Sequence, residues 1–149
     1  AQAVLAAGLP ALERSLLPRA EWIAIAIDWM KGRAALAHSQ AGRRPGAVKD
    51  ALAAAKRIER RRRPWGDALA TSLRAGAAAL GGLPRETLRL LETAEQQAND
   101  AELHLHALAA SLLRLRLLNA DPTEVQARAA ALGVARLDKM SRVYLPGFG

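Results

Sequence analysis

The stretch "WGDALATSLRAGAAALGGLPRETLRLLETAEQQA" (residues 65–98) contains two leucine-bearing segments separated by a turn. Within each segment leucines recur three, four or seven residues apart, which is the spacing of one helix face. The intervening "GGLP" (81–84) is typical of a turn, and Pro84 suits the first position of a helix. The stretch therefore predicts two antiparallel helices, at about 65–80 and 85–98.

The rest of the chain follows the same pattern. Hydrophobic residues make up 51% of it and are mostly Ala and Leu, whereas aromatic residues make up only 3%. Such a composition favours helices, because strands prefer β-branched and aromatic residues. Prolines and glycines divide the sequence into helical lengths. The predicted helices lie at about 19–39, 46–62, 65–80, 85–98, 100–118, 122–132 and 137–144.

Short turns group these helices into pairs, and a chain of 149 residues can bury a single core. We therefore predict one all-α domain, residues 1–149, in which stacked antiparallel helix pairs form a tetratricopeptide-like α-solenoid with a C-terminal capping helix. A further helical segment at about 2–16 precedes the first pair. The chain begins without Met, which suggests a fragment of a longer protein. The predicted pairs cover about 19–62, 65–98 and 100–132, and the cap covers 137–149.

Polar residues indicate where individual helices begin and end. Asn99 or Asp100 is placed to cap the N-terminus of the fifth helix, with Glu102 at the position of a capping box. Asn119 is placed to end that helix, and Asp121 to cap the next one.

Two glycines at equivalent places form an internal repeat. The stretch "GRAAL" at 32–36 matches "GAAAL" at 76–80. A glycine inside a helix costs about 1 kcal/mol relative to Ala. We therefore expect Gly32 and Gly76 to permit close packing against the partner helix of each pair. At the C-terminus we expect Tyr144, Leu145 and Phe148 to fold back and cover the last pair.

Most of the net charge of +8 lies in one segment, residues 43–63, which holds nine basic and two acidic side chains. Three interpretations remain open: a solvated helix end, a contact with an acidic partner protein or domain, or a contact with nucleic-acid phosphates. The positive charges spread around the helix and no aromatic row alternates with them, so nucleic acid is the least favoured partner. The candidate contact residues are Arg43, Arg44, Lys49, Lys56, Arg60, Arg61 and Arg63.

The three tryptophans are candidates for the lining of a groove or pocket. Trp22 and Trp29 are seven residues apart and so lie on one helix face. Trp65 follows Pro64 at the start of a helix. Core packing is the favoured interpretation for Trp22 and Trp29, and Trp65 is expected to cover the junction between the first and second pairs.

The sequence contains no recognisable catalytic or metal site. It has no Cys, which removes thiolate ligands and a Cys nucleophile. His104 and His106 are two residues apart and point to different sides of a helix, so they do not form a ligand pair. No apolar run reaches the roughly 18–20 residues that span a membrane. We expect a non-enzymatic protein without metal or cofactor.

Two stretches carry a family likeness. "RPWGDALATSLRAGAAALGG" (63–82) and "GVARLDKMSRVYLPGFG" (133–149) resemble the tetratricopeptide-like helical regions that follow the kinase domain in large bacterial eukaryotic-like serine/threonine kinases. The likeness covers about 45–149. The matching residues of the terminal motif are Gly133, Val134, Lys139, Met140, Pro146, Gly147 and Phe148.

The resemblance implies a non-catalytic, cytoplasmic region of a bacterial signalling protein. We therefore expect a protein–protein interaction or regulatory module that takes up a peptide or helix in a groove between helices, from another protein or another domain of the parent chain. One alternative is a small-molecule sensor with an apolar pocket. The other is weak nucleic-acid binding through residues 43–63.

Overall fold

A computed structural model describes residues 20–42 and 46–148, and all regular structure in these two ranges is α-helical. The predicted all-α class is confirmed, and each described helix lies within a few residues of its expected position. The segment predicted at about 2–16 lies outside the described residues. None of the described helices is long and apolar enough to cross a membrane. The helices are α1 (Glu21–Gln40), α2 (Ala47–Glu59), α3 (Pro64–Leu80), α4 (Pro84–Asp100), α5 (His104–Leu117), α6 (Thr123–Ala131) and α7 (Leu137–Tyr144).

Consecutive helices pack against each other from α1 to α5, and α1 also packs against α3. One hydrophobic core lies among α1, α2 and α3 and contains Ile25, Leu36, Ile58 and Leu73. A second core joins α3, α4 and α5 and includes Leu91. The helix α3 contributes to both cores and is buried around most of its circumference. It is therefore the centre of the fold.

The two repeated glycines lie where α1 and α3 cross. A Cβ atom on Gly32 would lie 2.5 Å from Leu73 of α3, and one on Gly76 would lie 2.8 Å from Leu36 of α1. Each glycine thus accommodates a leucine of the other helix. The expected close packing is present, but the leucine that each glycine accommodates belongs to the adjacent pair and not to the partner helix of the same pair. The absence of a Cβ atom on each glycine makes room for these bulky leucines. The helix α2, in contrast, approaches Gly32 only through the small side chain of Ala54.

The expected cap of the fifth helix is wrong. Asn99 and Asp100 are the last residues of α4, and α5 begins only at His104. Glu102 has a left-handed φ of 58°, and the N–H of Leu103 donates to the carbonyl of Ala98 at 2.8 Å, which closes α4. This turn therefore ends α4, and α5 begins only after it.

The prediction for the turn between α5 and α6 agrees better with the structure than the prediction for the start of α5. Asn119 adopts φ 53°, as a residue after a helix end commonly does. The carboxylate of Asp121 accepts hydrogen bonds from the N–H and the hydroxyl of Thr123, at 3.0 and 2.6 Å. Asp121 therefore stabilises the start of α6, although the helix itself begins at Thr123.

Candidate functional site

The C-terminal segment, defined here as residues 137–148, lies against helices that are distant in sequence. Its helix α7 packs on α5. Leu145 is only 1% exposed and belongs to the core formed by α3, α4 and α5. Phe148 also packs against that core. The expected fold-back is present, but it reaches beyond the last helix pair.

The backbone of the segment touches the backbone of α3. A Cβ atom on Gly76 would lie 2.5 Å from the carbonyl oxygen of Pro146, and one on Gly147 would lie 2.8 Å from the carbonyl oxygen of Gly76. The N–H of Gly147 donates to Oε1 of Gln40 at 3.2 Å. Two glycines without side chains therefore allow an extended piece of chain to lie directly on a helix, beside the end of α1.

A cluster of rings joins α1, α5 and α7 on the same side of the molecule. The ring of His106 lies 5.2 Å from Trp29 and 4.5 Å, edge-on, from Tyr144. Trp29 and Tyr144 are 6.1 Å apart. The guanidinium of Arg33 lies over the Trp29 ring at 4.4 Å, in the geometry of a cation–π contact. We call Trp29, Arg33, His106 and Tyr144 the ring cluster.

The ring cluster contains polar atoms that are buried without a hydrogen-bond partner. They are Nε1 of Trp29, Nε of Arg33 and Nε2 of His106. Burial, with a smaller contribution from the charge of Arg33, lowers the pKa of His106 to about 4, so its imidazole is neutral at pH 7. Burial also lowers the pKa of Arg33, although Tyr144 opposes this, and a guanidinium remains charged at neutral pH. The cluster thus holds one positive charge in a poorly solvated place.

A shallow cavity of about 440 Å³ adjoins the ring cluster. His106 and Tyr144 belong to both, and the other walls include Leu103, Leu105 and Leu132. Leu132 is 53% exposed. Trp29 and Arg33 do not line this cavity, which meets the ring cluster at His106 and Tyr144. The cavity therefore offers an apolar surface on one side of the ring cluster.

The three tryptophans occupy different environments. Trp29 is half-buried in the ring cluster, whereas Trp65 is half-buried against the core of α1, α2 and α3. Trp22 is 65% exposed. Although Trp22 and Trp29 share a helix face, Trp22 lies in the first turn of α1, two turns away from Trp29. Of the three, Trp29 alone belongs to the ring cluster.

Part of the basic segment is tied to the protein itself. Nε of Arg57 donates to Asp28 of α1 at 2.7 Å, and Arg63 pairs with Glu21 of α1. Arg61 is half-buried, and Arg43 and Arg44 lie outside the described residues. The remaining candidates, Lys49, Lys56 and Arg60, are exposed on α2 or at its end.

Within the two described ranges, no three His, Asp or Glu side chains are close enough to hold a metal ion. His104 is exposed and His106 is half-buried, so the two rings lie in different environments. The sequence pattern excluded His104 and His106 as a ligand pair and singled out neither His106 nor Arg33. The available signal was weak: His106 is three and seven residues from Ala109 and Leu113, which are buried on α5.

Comparison with protein-family models, with curated proteins and with solved structures yields no match to this chain.

Proposed function

We propose that this chain is a non-catalytic interaction module of a bacterial signalling protein, in which stacked helix pairs form a tetratricopeptide-like array and bind a peptide or helix. One observation carries the proposal. The side formed by α1, α3 and α5 accommodates a helix followed by an extended tail, namely the chain's own C-terminal segment. A surface with this shape is suited to a partner segment that has the same features.

The features of the C-terminal segment define what such a partner needs. Leu145 supplies an apolar side chain that is buried between helices. Gly147 supplies a φ of 106° and room for close contact with Gly76. Peptide recognition in grooves commonly combines an apolar anchor with backbone contacts of this kind. A partner would displace the C-terminal segment and use the same surface.

The proposal is tested with a truncated chain that ends at Arg136. We expect it to melt at a lower temperature than the full chain, and a synthetic peptide of residues 137–148 to bind it and raise its melting temperature. The matched control is the same peptide with Leu145→Asp, because a carboxylate cannot enter this core without a large cost. Fluorescence polarisation of the labelled peptides measures the affinity. If the native peptide neither binds nor raises the melting temperature, the surface does not take up a segment in trans and the proposal fails.

A contact with an acidic partner through Lys49, Lys56 and Arg60 is a second candidate. These side chains are exposed, and no ion pair holds them among the described residues. The pairing of Arg57 and Arg63 with α1 reduces the charge available to nucleic acid. Replacing Lys49, Lys56 and Arg60 by Glu should abolish capture of an acidic partner and leave binding of the 137–148 peptide to the truncated chain unchanged.

A further inference from the structure

Arg33 differs from the other arginines that contact neighbouring helices in the described chain. Arg57, Arg74 and Arg114 each donate to a carboxylate, at 2.7, 2.6 and 3.1 Å. Arg61 has an unpartnered Nε but lies within electrostatic range of Glu21. Among the described residues, no carboxylate forms an ion pair with Arg33, and burial lowers the pKa of its guanidinium. A poorly solvated cation without a counter-ion is costly, and an anion bound to it would remove that cost.

The atoms around Arg33 indicate what kind of anion fits. The indole N–H of Trp29 and the Nε–H of Arg33 can only donate hydrogen bonds, and both lack an acceptor. His106 is neutral and so adds no second positive charge. One cation with neighbouring donors suits a planar monoanion such as a carboxylate better than a doubly charged phosphate.

The neighbouring cavity indicates what else the ligand contains. It has room for a small organic group, and its walls are mainly leucines together with the rings of His106 and Tyr144. Glu102 also lines it but is exposed, so water screens its charge. An aromatic or aliphatic body would bury apolar surface there.

We propose that Arg33 and Trp29 bind the carboxylate of a small monoanion whose aromatic or aliphatic body lies against His106, Tyr144 and the adjacent leucines. The site lies beside the surface that holds the tail and does not require the tail to move. Because Tyr144 belongs to the C-terminal segment, a partner that displaces this segment would also remove one wall of the carboxylate site. The test below uses the full chain without added peptide, so carboxylate binding and peptide binding can still fail separately.

The test uses the full chain with benzoate and octanoate as probes and benzamide as a neutral analogue of benzoate. Isothermal titration calorimetry measures affinity, and tryptophan fluorescence reports on Trp29. We expect saturable binding of at least one carboxylate. Benzamide should bind at least about tenfold more weakly, since it lacks the charge that strengthens the hydrogen bonds to Arg33.

Arg33→Met keeps an unbranched apolar side chain and removes the charge. We expect it to weaken carboxylate binding at least about tenfold, whereas Arg116→Met, at an exposed arginine of α5, should leave the affinity unchanged. Absence of saturable binding by both carboxylates, or equal affinity in Arg33→Met, overturns the proposal.

Stability gives a second measurement. Because Arg33 carries an unpaired, half-buried charge in the absence of ligand, Arg33→Met should unfold at the same denaturant concentration as the parent chain or a higher one. A clearly lower midpoint would assign Arg33 a structural role through its contact with Trp29, and would also overturn the proposal.

Discussion

Single atoms decide how closely the C-terminal segment approaches α3. Gly76 and Gly147 lack the Cβ atoms that would collide with the opposite backbone. Gly32, by contrast, faces the end of the Leu73 side chain, which can move by rotation. The two repeated glycines are therefore not equivalent, because one faces a side chain and the other faces both a side chain and a carbonyl oxygen.

Gly76→Ala should destabilise the protein by about 1–3 kcal/mol, even though Ala is the better helix former, because the new Cβ displaces the tail at Pro146. Gly81→Ala is the matched control, since its Cβ would lie 3.4 Å or more from any neighbouring atom. Urea denaturation of both variants measures the difference. An increase in stability for Gly76→Ala would show that the tail does not lie on α3.

His106 should make stability fall as the pH is lowered from about 6.5 to about 4. In this range the unfolded chain protonates the imidazole, whereas the folded chain keeps it neutral because it is buried and lies near Arg33 of α1 and Tyr144 of α7. The loss at the acid end is up to about 3 kcal/mol. Denaturation at several pH values measures it.

The matched variants are His106→Phe, which should flatten this pH dependence, and His104→Gln, at the exposed histidine of the same helix, which should retain it. The assignment to His106 fails if both variants show the slope of the parent chain.

At the level of elements, α7 and the tail supply buried side chains that pack against the middle helices. Leu137 and Ser141 of α7 are buried, and Leu145 completes the core of α3, α4 and α5. The sequence predicted the position of α7 correctly, because Pro and Gly mark its end. It also predicted that the tail folds back over the last pair, but not that Leu145 reaches the core of α3, α4 and α5, because the apolar residues of "YLPGF" fit more than one face.

Leu145→Ala should lower the free energy of unfolding by about 2–4 kcal/mol, as expected for a leucine that is almost fully buried. Val143→Ala, two residues before Leu145 and 55% exposed, should change the free energy of unfolding by less than about 0.5 kcal/mol. Chemical denaturation compares the two. If both variants changed the free energy of unfolding equally, Leu145 would not be buried and the tail would lie in solvent.

Across the whole molecule, ion pairs link helices that adjoin in space. Arg57 connects α2 to Asp28 of α1, and Arg74 of α3 forms two hydrogen bonds to Glu59 of α2, at 2.6 and 2.8 Å. The basic segment thus combines arginines that stabilise helix packing with others that face solvent. The side chain of Asp28 is only 11% exposed, so removing Arg57 would leave a mostly buried carboxylate without this ion-pair partner.

Arg57→Gln should therefore cost about 1–2 kcal/mol of stability, whereas Arg60→Gln should cost less than about 0.5 kcal/mol. Both residues belong to the same run of arginines, so they form a matched pair, and thermal unfolding distinguishes them. If the two variants behave alike, Arg57 is as solvated as Arg60 and the ion pair contributes nothing.

The sequence by itself determined the all-α class, the number and approximate position of the described helices, and the two glycines that permit close contact. These features follow from local rules, since helix propensity, Pro and Gly act within a few residues. Only the tertiary structure decided that Gly76 meets the tail, that Arg57 pairs with Asp28, and that Trp29, Arg33, His106 and Tyr144 lie together. Some of these contacts join residues more than a hundred positions apart, such as Trp29 and Tyr144. Periodicity along one helix does not specify which distant face that helix will meet.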